Sequence, residues 1–574
     1  MAKIKLNKKK VEEIEVFLQN RFRELSNLRD EFDDDIKEEI DLYNDKDKYM
    51  DQKADWEEKI TVPYIYTIVQ TMVARLYQTL FGDDNYVRVF VEDETKSDME
   101  KSLQMWIQEE LDVMHFKTRS RDFLEDSLIQ RTVWLQPRPV MNGKSFKGVD
   151  FNVIKWFDIW YDTTVDKVED TDFFVRKIVK QYKILQRKDI YFNLDKIAET
   201  IMPDRDFDDN IMEEYEAKHG VTKNTDINTQ STTKDVEIME WWGVYEIDGE
   251  YKEVIFTLAN RKILIRAETN TTQTIQKRPF FPIRPLRQAN SLVGKSVPQL
   301  TKNQQYELNE TRSLRLQNFK TQIKLLFKYR RDAGINFGEL FAKGGNIIGY
   351  DDLPTDIDIF NVPNMVQLAS FISSEIIQDM QQITGAVDYL MGTTAARGVT
   401  ETASGIRTIT EQALFKFGMM AQNVYDDLIK FINYVIILWM RHGKSEILLR
   451  RPELRDFFKQ SEEEIEKSYM VDISMQDLAM RRDIERSQFI NAINIIAGLM
   501  AQVPGANMKE LLKQIMKRFN MENIDKMFEA PQQTNVEQLG VGGEQARGGS
   551  PQIAPTANRE SMPEEEAFGV QPGL

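Results

Sequence analysis

The chain has 574 residues, 41% of them apolar and 29% charged, with a formal net charge of −17. That length exceeds what a single core serves, so about two to four structural regions are expected, and the acidic balance excludes general attraction to nucleic acid, leaving a local basic patch or a passage that holds a polyanion without gripping it. The complete absence of cysteine excludes disulfides, thiolate nucleophiles, zinc fingers and iron–sulfur clusters and fits a reducing compartment such as a bacterial cytoplasm.

Residues 9–50 read as a charged amphipathic helix, with Val11, Ile14, Phe17, Leu18, Phe22, Leu25 and Leu28 at helical spacing. Its segment "DEFDDD" (30–35) is read as a charged helix face rather than a metal ligand set. The start "MAKIKLNKKK" is basic but runs into "VEEIEVF" instead of an apolar segment, so neither signal peptide nor membrane anchor is expected. A second helix is predicted over 64–81, between Pro63 and the Gly82-Asp83 stop, and a third over about 95–130.

From about 132 to 290 the period changes to that of an antiparallel meander. "RTVWLQPRPV" and "FKGVDFNVIKWFDIWYD" flank an "MNGK" hairpin signal, and turns are expected at Asp248-Gly249 and Asn260-Arg261. A helical insert is expected near 183–218. Its "DRDFDDN" imitates the start of a calcium loop with Asp204, Asp206 and Asp208, but Asp209 and Tyr215 stand where a glycine and a glutamate are needed, so a solvated acidic loop is expected. The histidines His115, His219 and His442 are too scattered to build a metal site.

Gly294, Lys295 and Ser296 imitate the second half of a phosphate-binding loop. The first glycine of that pattern falls on Ala289, and the preceding "RPFFPIRPLRQ" carries three prolines and three arginines where a buried strand should run. The better reading is a tight glycine turn with Ser296 as a helix N-cap and Pro298 in the first turn. No nucleophile–base pair emerges elsewhere, so no enzyme, cofactor or metal site is expected.

A helix is then predicted from 294 to about 326, followed by a glycine-rich module to 363, a helix over 364–384 and a glycine- and threonine-rich loop. A long helix over about 402–442 follows, with Leu414, Phe417, Ala421, Val424, Leu428, Phe431, Val435 and Leu438 on one stripe. Its longest apolar run, ten residues at 431–440, is too short to cross a bilayer, which needs about 20. Residues 311–331 hold Arg312, Arg315, Lys320, Lys324, Lys328, Arg330 and Arg331 without an acid, whereas the helix over 364–384 offers Glu375 and Asp379 without a base. Two readings stand: contact with a phosphate backbone or acidic partner, or solvation and pairing with acids of neighbouring chains. Strand-like residues are expected near 468–475, helices at 480–503 and 507–520, and a disordered polar tail from Pro531.

The order of these segments resembles the phage portal protein, the head-to-tail connector, particularly of short-tailed phages. The resemblance is carried by "WEEKITVPYIYTIVQTMVARLYQTLF", "VIKWFDIWYDTTVDKVEDTDFFV", "RPFFPIRPLRQANSLVGKSVPQLTKNQQYELNETRSLRLQNF" and "ITGAVDYLMGTTAARGVTETASGIRTITEQA", collinear over most of 56–440. It implies an α+β, mainly helical portal fold with wing, stem, clip and crown, assembled as a dodecameric ring around an axial channel for double-stranded DNA. By position, 1–290 would be wing, 291–325 and 364–384 the stem helices, 326–363 the clip, and 385–403 the tunnel loop. The long helix over 404–480 would return to the wing, 481–530 would form the crown, and 531–574 would be an acidic tail with no firm counterpart.

Carried over by position, Arg312, Arg315, Lys320, Lys324, Glu375 and Asp379 become channel or subunit-contact candidates. Lys328, Arg330 and Arg331 become docking candidates on the clip, and Thr393, Thr394, Arg397, Thr400 and Glu401 belong to the tunnel loop. The implied partners are further copies of the chain, the terminase large subunit, a head–tail adaptor, major capsid and scaffolding proteins, and DNA without sequence readout; no membrane is implied. The implied location is the virion's portal vertex, with the host cytoplasm during assembly. An ATP-driven packaging subunit and a helical scaffolding or internal virion protein stand as the alternatives.

Overall fold

In the computed structural model the first helix, α1 (Lys8–Tyr43), starts where the Asn7 side chain accepts the Lys10 N–H at 3.0 Å. Asp47 caps a further short turn, α2 (Lys48–Asp51). Then follow α3 (Tyr64–Phe81), α4 (Ser97–Val113) and α5 (Phe116–Ile129). The helix expected over 95–130 is thus two helices, because His115 adopts the left-handed conformation (φ 52°), which ends one and redirects the chain into the next. The structure describes residues 2–4, 6–83, 85–91, 97–143, 145–200, 235–270, 277–323, 326–330, 332, 346–350, 357–360, 362–386, 403–444, 447, 451–455, 457–459 and 469–473. The expected crown and tail, the calcium-like loop and all of the expected tunnel loop but Gly385, Ala386 and Ala403 lie outside them.

The meander is a six-stranded antiparallel sheet in the order β1-β9-β8-β7-β6-β5. Its strands are β1 (Ala2–Lys3), β5 (Ile159–Trp160), β6 (Phe173–Gln181), β7 (Asp235–Ile247), β8 (Glu250–Ala259) and β9 (Ile263–Thr269). Both expected turns form, with positive φ at Asp248, Gly249, Asn260 and Arg261. The terminal strand β1, pairing Ala2 with Thr269, had no signal in the sequence.

Alternation along the strands decides which core each residue joins. Phe173 and Trp241 pack against Val11, Ile14, Leu18 and Leu25 of α1, whereas Phe174 and Trp242 join the main core on the other face. Gly243 follows that pair because a Cβ there would meet the Phe173 ring at 2.2 Å and the Asp172 carbonyl at 2.3 Å. Two short helices, α6 (Tyr182–Gln186) and α7 (Leu194–Thr200), form the described part of the expected insert and supply Leu185 and Ile197 to a small cluster on β7, β8 and β9.

A second sheet, β10-β3-β4, contains β3 (Val133–Asn142), β4 (Ser145–Ile154) and β10 (Phe281–Ile283). A third pairs β2 (Val87–Val91) with β14 (Tyr469–Ile473), in antiparallel register from Val91↔Tyr469 to Val87↔Ile473. Between them runs α10 (Ala403–His442), 40 residues and about 60 Å long. Its predicted stripe is buried from Phe417 to Leu438, and Phe431 meets Phe116, Phe151 and Phe281. Helices and antiparallel sheets in separate stretches of chain make the fold α+β, as the sequence pattern expects.

The helices α8 (Val297–Ile323) and α9 (Val366–Thr384) pack on each other and bracket a small sheet, β12-β11-β13. In it β11 (Leu326–Arg330) runs parallel to β12 (Asn346–Tyr350) and antiparallel to β13 (Ile357–Phe360).

Candidate functional site

The glycine turn at 294–296 is a structural joint. Gly294 is buried where a Cβ would lie 2.5 Å from the Arg131 carbonyl and 3.0 Å from that of Leu286, both backbone atoms. Its N–H donates to Thr132 Oγ1 at 2.9 Å. Ser296 is the N-cap: its Oγ accepts the Gln299 N–H at 2.9 Å and donates to Glu39 Oε2 at 2.8 Å. Being fully buried, that hydroxyl has no surface to offer a phosphate, and Lys295 is exposed to solvent. One expectation is corrected: a short buried strand, β10, does precede the turn, because Phe281 and Ile283 point into the core while Pro282 tolerates an edge position.

Glu39 is the hub of this joint. Both its oxygens accept from Arg131 Nε, at 3.0 and 3.1 Å, and Arg131 Nη2 reaches Glu39 as well as Asp35, the latter at 3.1 Å. Burial pushes the Glu39 carboxyl up, against the pull of Arg131 and Ser296. The "DEFDDD" acids are therefore not a uniformly solvated face: Asp33 accepts the Trp156 indole N–H and pairs with Arg29, and Asp35 pairs with Arg131 and Lys302, whereas Asp34 points to solvent. A comparable joint fixes α10, where Asp427 pairs with Arg287 at 3.0 Å and Arg284 at 3.6 Å.

α8 is held along its length by a polar row rather than an apolar one. Thr301, Gln305, Asn309 and Ser313 recur every four residues and are all buried. They face an extended strap before α3 and the first turn of α3 itself. The Ile60 N–H donates to Ser313 Oγ at 3.1 Å, Val62 N–H to Asn309 Oδ1 at 3.0 Å, and Ile65 N–H to Gln305 Oε1 at 3.3 Å. Lys320 extends the row to Glu58 at 2.7 Å. These residues escaped sequence reasoning, which looked for apolar stripes; their i, i+4 recurrence was the available signal.

On the other side α9 is tied to α8 by Arg315 Nη1 donating to Ser370 Oγ at 3.2 Å, and by the Asn318 and Gln322 side-chain amides donating to the Pro363 carbonyl. Arg312 stands beside Arg315; burial and that like charge push its guanidinium down, and its Nε has no hydrogen-bond partner among the described residues. Glu375 and Asp379 are exposed on α9 and make no ion pair among the described residues. The candidate acids and bases are thus on adjacent helices without being brought together inside one chain. Lys328 and Arg330 lie on β11, Arg330 pairing with Asp332 at 2.6 Å. Lys324, Arg331, Thr393, Thr394, Arg397, Thr400 and Glu401 lie outside the described residues.

Among the described residues no cluster of three His, Asp or Glu could hold a metal ion, and no helix is long and apolar enough to cross a membrane. His115 marks the α4–α5 corner and His442 stacks on Phe146. No curated protein matches the chain. The family model described as Phage SU10 portal protein matches residues 47–560, which include the joint, the helix pair with its small sheet, and the long helix. A match over that much of the chain, on a helix–module–helix segment rooted in an α+β body, places it: the chain belongs to the phage SU10 portal protein family and is a phage portal protein, the head-to-tail connector at the capsid vertex of a short-tailed-phage type.

Proposed function

We propose that the chain assembles into a dodecameric ring whose axial channel conducts double-stranded DNA during packaging and ejection. Residues 1–290, with part of 404–480, are assigned to the wing, and 291–325 and 364–384 to the stem. The clip is assigned to 326–363, the tunnel loop to 385–403, the crown to 481–530 and a peripheral tail to 531–574. The observation that carries this reading is the helix pair α8/α9, rooted at Glu39–Arg131–Ser296 and bracketing the β11–β13 sheet, within a chain matched by a portal family over 47–560.

The small sheet with Lys328, Arg330 and Arg331 is the surface proposed for the terminase large subunit and later the head–tail adaptor. The wing is proposed to meet major capsid and scaffolding proteins. Assembly is placed in the host cytoplasm and the finished ring in the virion. Thr393, Thr394, Arg397, Thr400 and Glu401 would line the moving loop of the channel, Lys324 would lie at the stem–clip boundary, and DNA would be held without base readout. A net charge of −17 supports that assignment, since each phosphate neutralised by a basic wall adds salt-sensitive grip that opposes sliding. No catalytic step is assigned to the chain; ATP chemistry would belong to the terminase.

Negative-stain images of the purified full-length chain test this. Rings with a central hole are expected; solitary particles at micromolar concentration would refute the assembly.

A further inference from the structure

The helices α8 and α9 carry two stripes of identical spacing and complementary chemistry, exposed except at the half-buried Arg312 and Arg315. On α8 the positions i, i+3, i+7 and i+11 are Arg312, Arg315, Phe319 and Ile323. On α9 they are Leu368, Phe371, Glu375 and Asp379. Residues so spaced share one helix face. The α9 stripe lies opposite the buried Ser373, Ile376, Met380 and Thr384. Its apolar half is open, Leu368 being 55% and Phe371 67% exposed, as is that of α8, with Phe319 at 50% and Ile323 at 65%. Four large apolar side chains left in water on two neighbouring helices, ending in charges of opposite sign that make no ion pair among the described residues, mark an interface rather than a solvated surface.

We infer that these stripes are the two halves of one subunit contact, the α8 stripe of each copy seating on the α9 stripe of the next. The inference rests on the ring reading above. Its occupant, a second copy of this chain, is argued from charge and register. The helices are linked through a module at one end, so Arg312 and Arg315 lie toward the wing and Phe319 and Ile323 toward the clip, whereas Leu368 and Phe371 lie toward the clip and Glu375 and Asp379 toward the wing.

Contacts within the chain calibrate the levels: Arg315 is level with Ser370, and Asn318 and Gln322 with Pro363. Rotation about an axis along the stem preserves level, so the copies meet without slipping in register. Phe319 then falls within two or three residues of Leu368, and Arg312 within two or three of Glu375, offsets of ~4 Å that the side chains span. Phe371 lies between, under Arg315. The arrangement is head-to-tail: one copy's basic–apolar stripe always meets the other's apolar–acidic stripe, so like charges never face each other and the contact propagates around a ring.

The cysteine-free chain allows a clean test. Full-length protein with Phe319→Cys and Leu368→Cys is oxidised and run without reductant, beside each single variant and the wild type. A ladder of covalent multimers from the double variant alone is expected. Wild-type and double-variant rings in the microscope without any ladder would overturn the stripe contact while leaving the ring reading intact; no wild-type rings would overturn the ring reading itself. Independently, Arg312→Glu should lower ring yield about tenfold, and Arg312→Glu with Glu375→Arg should restore most of it. Unchanged rings with altered DNA retention in Arg312→Glu would assign the stripe to the channel wall and overturn the contact.

Discussion

Replacing Glu39 by Gln tests the joint between α1, β3 and α8. The two side chains of the Glu39–Arg131 pair are 1% and 4% exposed, so neither is hydrated when its partner loses charge. Removing one partner of such a pair costs ~3–5 kcal/mol, because the other stays buried and uncompensated. Here the remaining contact from Arg131 to Asp35 at 3.1 Å, with Asp35 46% exposed, offsets part of the loss, which places the expectation at about 3 kcal/mol, the low end of that range. Ser296 keeps its cap to Gln299 but must donate to a neutral oxygen, and a companion Ser296→Ala should cost a further ~1 kcal/mol as a lost N-cap. The two changes share Glu39, so their double variant should lose less than the sum. Thermal unfolding of the purified chain, followed by circular dichroism, should show Tm falling by about 3 °C in Glu39→Gln, the shift that ~3 kcal/mol produces in a folding unit this large. A fall below ~1 °C would show that the pair contributes nothing beyond an apolar filling, and the account of the joint would be wrong.

Gly294→Ala should destabilise by ~1–3 kcal/mol, since its Cβ would collide with two carbonyls, whereas exposed Lys295→Ala should stay within about 0.5 kcal/mol in the same melts. ATP hydrolysis by the purified chain should remain at background in both; hydrolysis abolished by Lys295→Ala would revive the packaging-motor alternative. Asn309→Ala leaves the half-buried Val62 N–H without its acceptor and should cost ~1 kcal/mol, read as faster limited proteolysis at the strap near 52–62; unchanged cleavage would contradict its clamping of α8. Burial works to raise the carboxyls of Asp150 and Glu38. Hydrogen bonds from Arg138 and Arg119 to Asp150, and from Lys48 and Tyr306 to Glu38, nonetheless hold both below the ordinary range. Their stabilisation is complete above the unfolded values of about 3.9 and 4.3 and is lost as pH falls through the lower folded ones, so Tm should drop in that acid window and drop less in Asp150→Asn. An identical acid profile in that variant would count against the Asp150 pairs.

Much of the fold was legible along the chain, because amphipathic period and turn chemistry are properties of sequence neighbours. The doublets Phe173-Phe174 and Trp241-Trp242 announce strands with two buried faces, Asp248-Gly249 and Asn260-Arg261 announce hairpins, and the stripe from Phe417 to Leu438 announces a buried helix face. The order of segments, with four stretches collinear over most of 56–440, resembled the portal family that the match over 47–560 shows.

Tertiary structure alone decided which partners those segments meet. Glu39 finds Arg131 and Ser296 across 92 and 257 positions of chain, and Asn309 finds Val62 across 247. No periodicity encodes such pairings, since they arise where the chain path brings buried polar groups within hydrogen-bond reach and desolvation forces each to be satisfied. For the same reason α8 carries no continuous apolar stripe in the sequence: beyond its first turn its buried face is mostly polar, and only the strap explains what that face is for.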